Sequence, residues 1–224
     1  MGYWVKLVVS VSLICVFLRT LIGSPCIVPS DSMSPTILPG DRMWIDQTTY
    51  GARLSQNNFT KNIVRFSYLV RSWTENEKLI NTDTYRVAGI RNPEIGDLIV
   101  FNHPYDRILV VKRIAEILKK GDSVLITYKN FTTFESLAKR EGLDIFKRGK
   151  TIFINNRIDS IFTLKQSYYY VLGDNQSNSL DSKVYGYIPH SSIVGRFNRV
   201  LYSLAPDEPF WKKLRWNRIM KSIE

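Results

Sequence analysis

Cysteine and histidine are scarce in this 224-residue chain, with two of each. Cys15 lies inside an apolar run and Cys26 just beyond it. If that run is helical, a rise of about 1.5 Å per residue separates them by roughly 16 Å, far beyond disulfide reach. No Cys-x-x-Cys pair or histidine cluster accompanies them, and His103 and His190 alone do not compose a zinc site, so no metal and no cofactor is expected. Acidic residues are also few, 20 against 31 lysines and arginines, for a net charge of +11. That balance suits an anionic surface, lipid or nucleic acid, without choosing between them. Repeats and low-complexity tracts are missing, and a hydrophobic fraction of 44% excludes wholesale disorder.

What the chain does have, first, is a long apolar segment, Tyr3 to Ile22. Its length is near the roughly 20 residues that span a bilayer. Lys6 and Arg19 sit near its ends, where long side chains reach headgroups, and Tyr3 and Trp4 suit the interface. A retained anchor over residues 1–24 is the expectation, against a cleaved signal peptide or a buried soluble helix. After Pro25 short runs of alternating, β-branched residues take over, punctuated by Gly, Pro, Asn and Asp. Leu98–Phe101, Ile108–Ile114, Val124–Tyr128, Thr151–Ile154, Tyr168–Leu172 and Ile193–Leu201 read as strands, and Phe131–Arg140 as a short helix. A mostly β, antiparallel domain over residues 25–224 follows. Residues 51–95 look like an insertion carrying a basic aromatic piece, Phe59–Trp73. Phe210–Ile223 mixes Trp, Leu and Ile with Lys and Arg, as in an interfacial amphipathic helix or a terminal helix packed on the domain.

Four segments can carry chemistry. Val28 to Asp41 (VPSDSMSPTILPGD) is rigid, turn-rich and full of hydroxyls, and taken alone is only a loop. Gly96 to Phe101 is a turn entering a strand. Ile108 to Ala115 places Lys112 on one strand face with Val110 and Ile114, while Arg113 points the other way with Val111. An ammonium on an apolar face is costly to bury. It needs either an ion pair or a pKa lowered until the neutral amine can take a proton. The last, Leu172 to Lys183 and on to Pro189, is a dense polar loop whose carboxylates could pair with Arg113 and Lys183.

In order and spacing these segments resemble the type I signal peptidases, serine–lysine enzymes of the peptidase S26 family. The resemblance runs from the apolar segment to about Phe197: anchor, Ser-Met-x-Pro-Thr, Gly-Asp-x-x-x-Phe, Lys-Arg, then Gly-Asp-Asn-x-x-x-Ser-x-Asp-Ser. It implies a coiled antiparallel β-sheet catalytic domain behind one N-terminal transmembrane helix. By it, Ser32 is the nucleophile and Lys112 the general base of a Ser–Lys dyad, with Ser179 orienting the amine. The oxyanion hole is Ser30 with the backbone N–H of Ser32. Val28, Pro29, Met33, Ile37 and Val111 line shallow substrate pockets. Asp174 with Arg113, and Asp181 with Lys183, are supporting ion pairs. The implied partners are exported preproteins, cut after small residues at −1 and −3, and a lipid bilayer, not nucleic acid. The implied place is the cytoplasmic membrane of a prokaryote, single-pass, with the catalytic domain outside.

The chain departs from the family pattern in three places. After Arg113 it runs Ile114 to Asp122, keeping only the final Gly-Asp of a turn motif. Gln176-Ser177 stand where Arg-Asp is usual, and Lys183 stands for an arginine whose bidentate fork it cannot form. Rival readings are a self-cleaving repressor-type protease, a non-catalytic tethered binding module, and a Ser–His enzyme using His103 or His190.

Overall fold

Alternating side chains along most of the chain dictate strands, and the computed structural model, which describes residues 2–55, 84–104, 108–209 and 211–223, is built mainly of them. One helix, α1 (Tyr3–Ile22), leads directly into β1 (Gly23–Ile27). Then come β2 (Asp41–Asp46), β3 (Arg53–Ser55), β4 (Thr84–Arg86), β5 (Leu98–Asn102), β6 (Leu109–Leu118) and β7 (Ser123–Leu125). Helix α2 (Phe131–Arg140) precedes β8 (Ile145–Arg148), β9 (Thr151–Ile154), β10 (Arg157–Ile158), β11 (Ile161–Thr163) and β12 (Tyr168–Leu172). A one-turn helix α3 (Ser182–Tyr185), β13 (Ile188–Pro189) and β14 (Ile193–Ser203) follow.

The main sheet has seven strands in the order β1-β2-β14-β5-β6-β12-β13, every pairing antiparallel. It is covered on both faces, which is why β5 is buried from Leu98 to Phe101. Leu98 and Val100 pack with Val28, Met33, Ile37, Met43, Ile45 and Phe197. Ile99 and Phe101 point the opposite way, into a cluster with Ile114, Tyr169, Val171 and Tyr185. Between β6 and β12 the chain builds a second, smaller body with its own core. There β7, β8, β9, β11 and α2 bury Val124, Phe131, Leu137, Ile145, Ile152 and Phe162.

Four strands differ in extent from the sequence pattern: Leu98–Phe101 gains Asn102, Ile193–Leu201 runs to Ser203, and two others change more. Ile108–Ile114 continues to Leu118, because Glu116, Ile117 and Leu118 still find partners in Tyr170, Tyr169 and Tyr168 of β12. Val124–Tyr128 stops at Leu125, where Asn130 turns the chain: its Oδ1 accepts from Thr127 N at 2.6 Å and its Nδ2 donates to Leu125 O at 3.2 Å. The residues of β1, β2, β3, β4, β8, β10, β11 and β13 form strands that sequence patterning did not mark.

The segment 211–223 is not an amphipathic helix. It runs back along β14 as an irregular strap, with bridges Leu204–Leu214 and Arg199–Ser222 and one 3-10 turn at Trp216–Arg218. Its backbone is claimed by β14, through Arg215 N to Ser203 O and Val200 N to Lys221 O, and Ile223 enters the core. Helix α1 occupies the expected apolar run, and from Tyr3 to Cys15 every side chain but Ser12 is exposed. Among the described residues no helix is long and apolar enough to cross a membrane. The basic aromatic piece Phe59–Trp73 lies outside the described residues.

Candidate active site

The loop between β1 and β2 is closed at its neck by backbone bonds from Val28 N to Asp41 O and from Gly40 N to Val28 O, both 3.0 Å. Gly40 has φ +89°, and a Cβ there would collide with Leu204 O, so glycine is required. Met33 and Ile37 anchor the loop, 1% and 0% exposed. Between them Ser34 N bonds to Asp31 O and Ile37 N to Met33 O, forming tight turns. With its apolar residues committed to the core, the loop leaves Ser30 exposed and Ser32 half-buried, their hydroxyl oxygens 3.3 Å apart.

Lys112 is on β6, opposite Ile99 of β5, and is 2% exposed. Its Nζ donates to Ser179 Oγ at 2.9 Å. Burial lowers the pKa of this amine below the ordinary lysine value, against the opposing pull of Asp181 and Asp174. A lysine so held gives up its proton more readily than an exposed one, which is the property a general base requires.

Serine loop and lysine meet through the turn after β12. Gly173 sits where a Cβ would collide with Ser179 Oγ and stand 2.7 Å from Ser32 O. Any side chain there would force apart the hydroxyl that holds the lysine and the peptide of Ser32. Asn175 N donates to Ser32 O at 3.1 Å, and Asn175 Nδ2 to Asp31 O at 3.2 Å. Arg113 grips Asp174 in a bidentate pair, Nε to Oδ1 and Nη2 to Oδ2, both 2.9 Å. Burial works to raise the Asp174 pKa, but hydrogen bonds from Arg113 and Thr36 hold it below the usual range. Thr36 belongs to the serine loop, so this pair ties that loop to the sheet as well.

The second expected ion pair is not there. Asp181 is the N-cap of α3, and its carboxylate accepts from Lys183 N at 3.1 Å and Gly173 N at 3.3 Å. Turned toward helix N–H groups, it leaves the Lys183 ammonium to Gln176 Oε1 at 3.1 Å. Gln176 thus answers Lys183 where the family pattern has an arginine. Of the expected pocket residues, Val28, Met33 and Ile37 lie within the core, Val111 packs against it half-buried, and Pro29 is exposed. The histidines are engaged elsewhere. Tyr169 Oη lies 3.0 Å from His190 Nδ1, and burial with nearby Arg86 lowers the His190 pKa to about 4. His103 stands edge-on to Tyr185.

Two contributors escape sequence reasoning. Gly173 carries a signal only as part of a Gly-Asp-Asn motif. Arg218, 5% exposed, has no local signal at all. It donates through Nε to Asp41 Oδ1 and through Nη2 to Thr36 O, both 2.9 Å, bracing the serine loop from the far end of the chain. No group of three or more possible metal-ligating side chains occurs among the described residues.

Known proteins resemble this chain along most of its length. The family described as signal peptidase, peptidase S26, matches residues 1–202. A signal peptidase I of Buchnera aphidicola subsp. Baizongia pistaciae (strain Bp) is 27% identical over 262 residues, covering 89% of this chain and 76% of its own. One from Rickettsia massiliae (strain Mtu5) is 26% identical over 253 residues, covering 94% and 88%. A signal peptidase I of Enterococcus faecalis V583, of known structure, overlaps 48% of this chain and 98% of its own at 23% identity. Its TM-score of 0.27 is too low for the two folds to be compared. The chain is a peptidase, a hydrolase of peptide bonds. It belongs to the peptidase S26 family of signal peptidases.

Proposed function

We propose that this peptidase removes signal peptides from exported preproteins, with Ser32 attacking the scissile carbonyl and Lys112 taking its proton. The observation that carries the reading is Lys112: an amine 2% exposed, lowered in pKa by burial, and bonded by Ser179 Oγ. A serine hydroxyl is scarcely ionised near neutrality and needs such a base. As the acyl-enzyme forms, the oxyanion is received by Ser32 N–H and by Ser30 Oγ, whose proximity to Ser32 Oγ suits that task. Lys112 then returns its proton to the leaving amine and activates the water that deacylates the enzyme. Asp174 and Arg113 hold the loop and take no part in bond making.

Substrate enters as an extended segment, with small side chains at −1 and −3. Met33, Ile37 and Val28 are closed into the core, so they can only floor shallow pockets, which suits small residues; Pro29 and Val111 form their rims. The α1 helix tethers the enzyme in the cytoplasmic membrane of a bacterium, single-pass, with the catalytic domain on the outer side. Support comes from its exposed apolar side chains, Val8, Val9, Leu13 and Ile14 among them.

The test is cleavage of a preprotein by the full-length enzyme in detergent. Ser32→Ala and Lys112→Ala should each abolish processing with the fold retained, while His103→Ala and His190→Ala keep it. Full activity in Lys112→Ala would overturn the mechanism.

A further inference from the structure

Asp31, flanked by Ser30 and Ser32, points its carboxylate at the opposite wall of the site. Asn178 Nδ2 donates to both of its oxygens, at 3.0 and 3.2 Å. Asn178 is the immediate neighbour of Ser179, whose Oγ holds Lys112 Nζ. One side-chain contact therefore links the residue before Ser32 to the residue before Ser179. The other bonds between the two loops are those from Asn175 to the backbone carbonyls of Asp31 and Ser32, and one to Asp174 from Thr36, four residues beyond Ser32. The Asn178 turn is itself set locally, by Asn178 N on Asn175 O and Ser177 Oγ on Asn175 Oδ1.

We infer that Asp31 and Asn178 form a latch that sets the position of Ser32 against the Lys112–Ser179 arm, making Asp31 a positioning residue for the proteolytic step. This rests on the serine–lysine reading above. Three considerations carry it. Both side chains are exposed, so their contact adds little to global stability. Proton transfer from a hydroxyl to an amine demands hydrogen-bond reach, and a displacement of about 1 Å can reduce rate by roughly 10²-fold. Charge is not the working feature, because the carboxylates acting on Lys112 are Asp181 and Asp174, not Asp31.

The latch makes distinct demands on kinetics. Asp31→Ala and Asn178→Ala should each lower kcat by about tenfold, from the loss of one positioning hydrogen bond, with KM and Tm near wild type. The double variant should be no slower than either single, since both remove the same contact. Asp31→Asn keeps an acceptor for Asn178 and should recover activity to within about twofold, with the pH profile unmoved. These are measured on the full-length enzyme in detergent, with a peptide substrate, beside Lys112→Ala. Additive losses in the double variant, or wild-type kcat in both singles, would overturn the latch while Lys112→Ala stays dead. An Asp31→Asn variant as slow as Asp31→Ala, with a shifted pH profile, would also overturn it and assign the effect to charge. Activity in Lys112→Ala would instead remove the dyad on which the latch depends.

Discussion

In the proposed mechanism Lys112 is the residue that takes the proton, and its setting carries the reading. Strand alternation puts it on the face of Ile114, and packing closes over it until 2% of it is exposed. Burial favours the neutral amine, so its pKa lies below the ordinary lysine value. Activity should rise with pH as the amine loses its proton and level off above that lowered pKa. A kcat/KM profile of the full-length enzyme checks the limb. The same shift has a stability consequence with a definite sign. Between the lowered pKa and the ordinary one, the unfolded chain holds a proton that the native chain lacks, so native stability rises with pH across that window. Lys112→Met removes the titration. Its Tm advantage over the wild type should grow as pH falls through the window and stay constant below it. A pH-independent difference would mean the ammonium is as comfortable folded as unfolded.

Elements distant in sequence meet at the serine loop. The strap 211–223 lies on β14 and sends Arg218 beneath the loop to Asp41, which is 0% exposed, and to Thr36 O. Arg215 Nη1 adds a bond to Pro39 O at 3.0 Å. Removing one partner of a buried pair strands the other charge, at a cost of about 3–5 kcal/mol. Arg218→Ala should therefore lower Tm by roughly 10 °C at this chain length. Thermal unfolding of the purified variant tests it, and a shift of a degree or two would mean that Asp41 finds another partner. The expected helix failed here for a physical reason. Residues 211–223 have enough apolar positions for one helical face, but β14 presents unpaired backbone groups beyond its pairing with β5, and the segment satisfies them as an extended strap.

Across the whole molecule, the sheet holds the candidate site, and the proposed tether, α1, leads straight into it. The helix ends at Ile22 and β1 begins at Gly23, so no linker separates the apolar element from the sheet. Deleting residues 1–22 should leave peptide cleavage in solution close to that of the full chain, while processing of membrane-inserted preproteins falls sharply as tethering is lost. Equal processing in membranes by both forms would refute the tether. Alkaline extraction of membranes should release the truncated enzyme and retain the full chain.

Much of this was open to reading in order along the chain. Period-two alternation marked the strands Thr151–Ile154 and Tyr168–Leu172 and put Lys112 on a buried face, because alternation reports burial directly. The helix Phe131–Arg140 was legible for the same local reason, its apolar residues returning to one side. The motif order pointed to Ser32, Lys112 and Ser179 through family resemblance, not through any property of a serine in a loop. Tertiary structure alone decided the rest. It put β14 between β2 and β5, gave residues 119–167 a second core that Tyr168 and Tyr187 complete, and set Arg218 on Asp41, 177 residues away. It also spent the Asp181 carboxylate on a helix cap in place of Lys183. Local patterns record how each residue meets the core. Which distant groups share a buried pair, or which donor reaches a carboxylate first, depends on how the closed sheet brings them together, and no short stretch of chain contains that information.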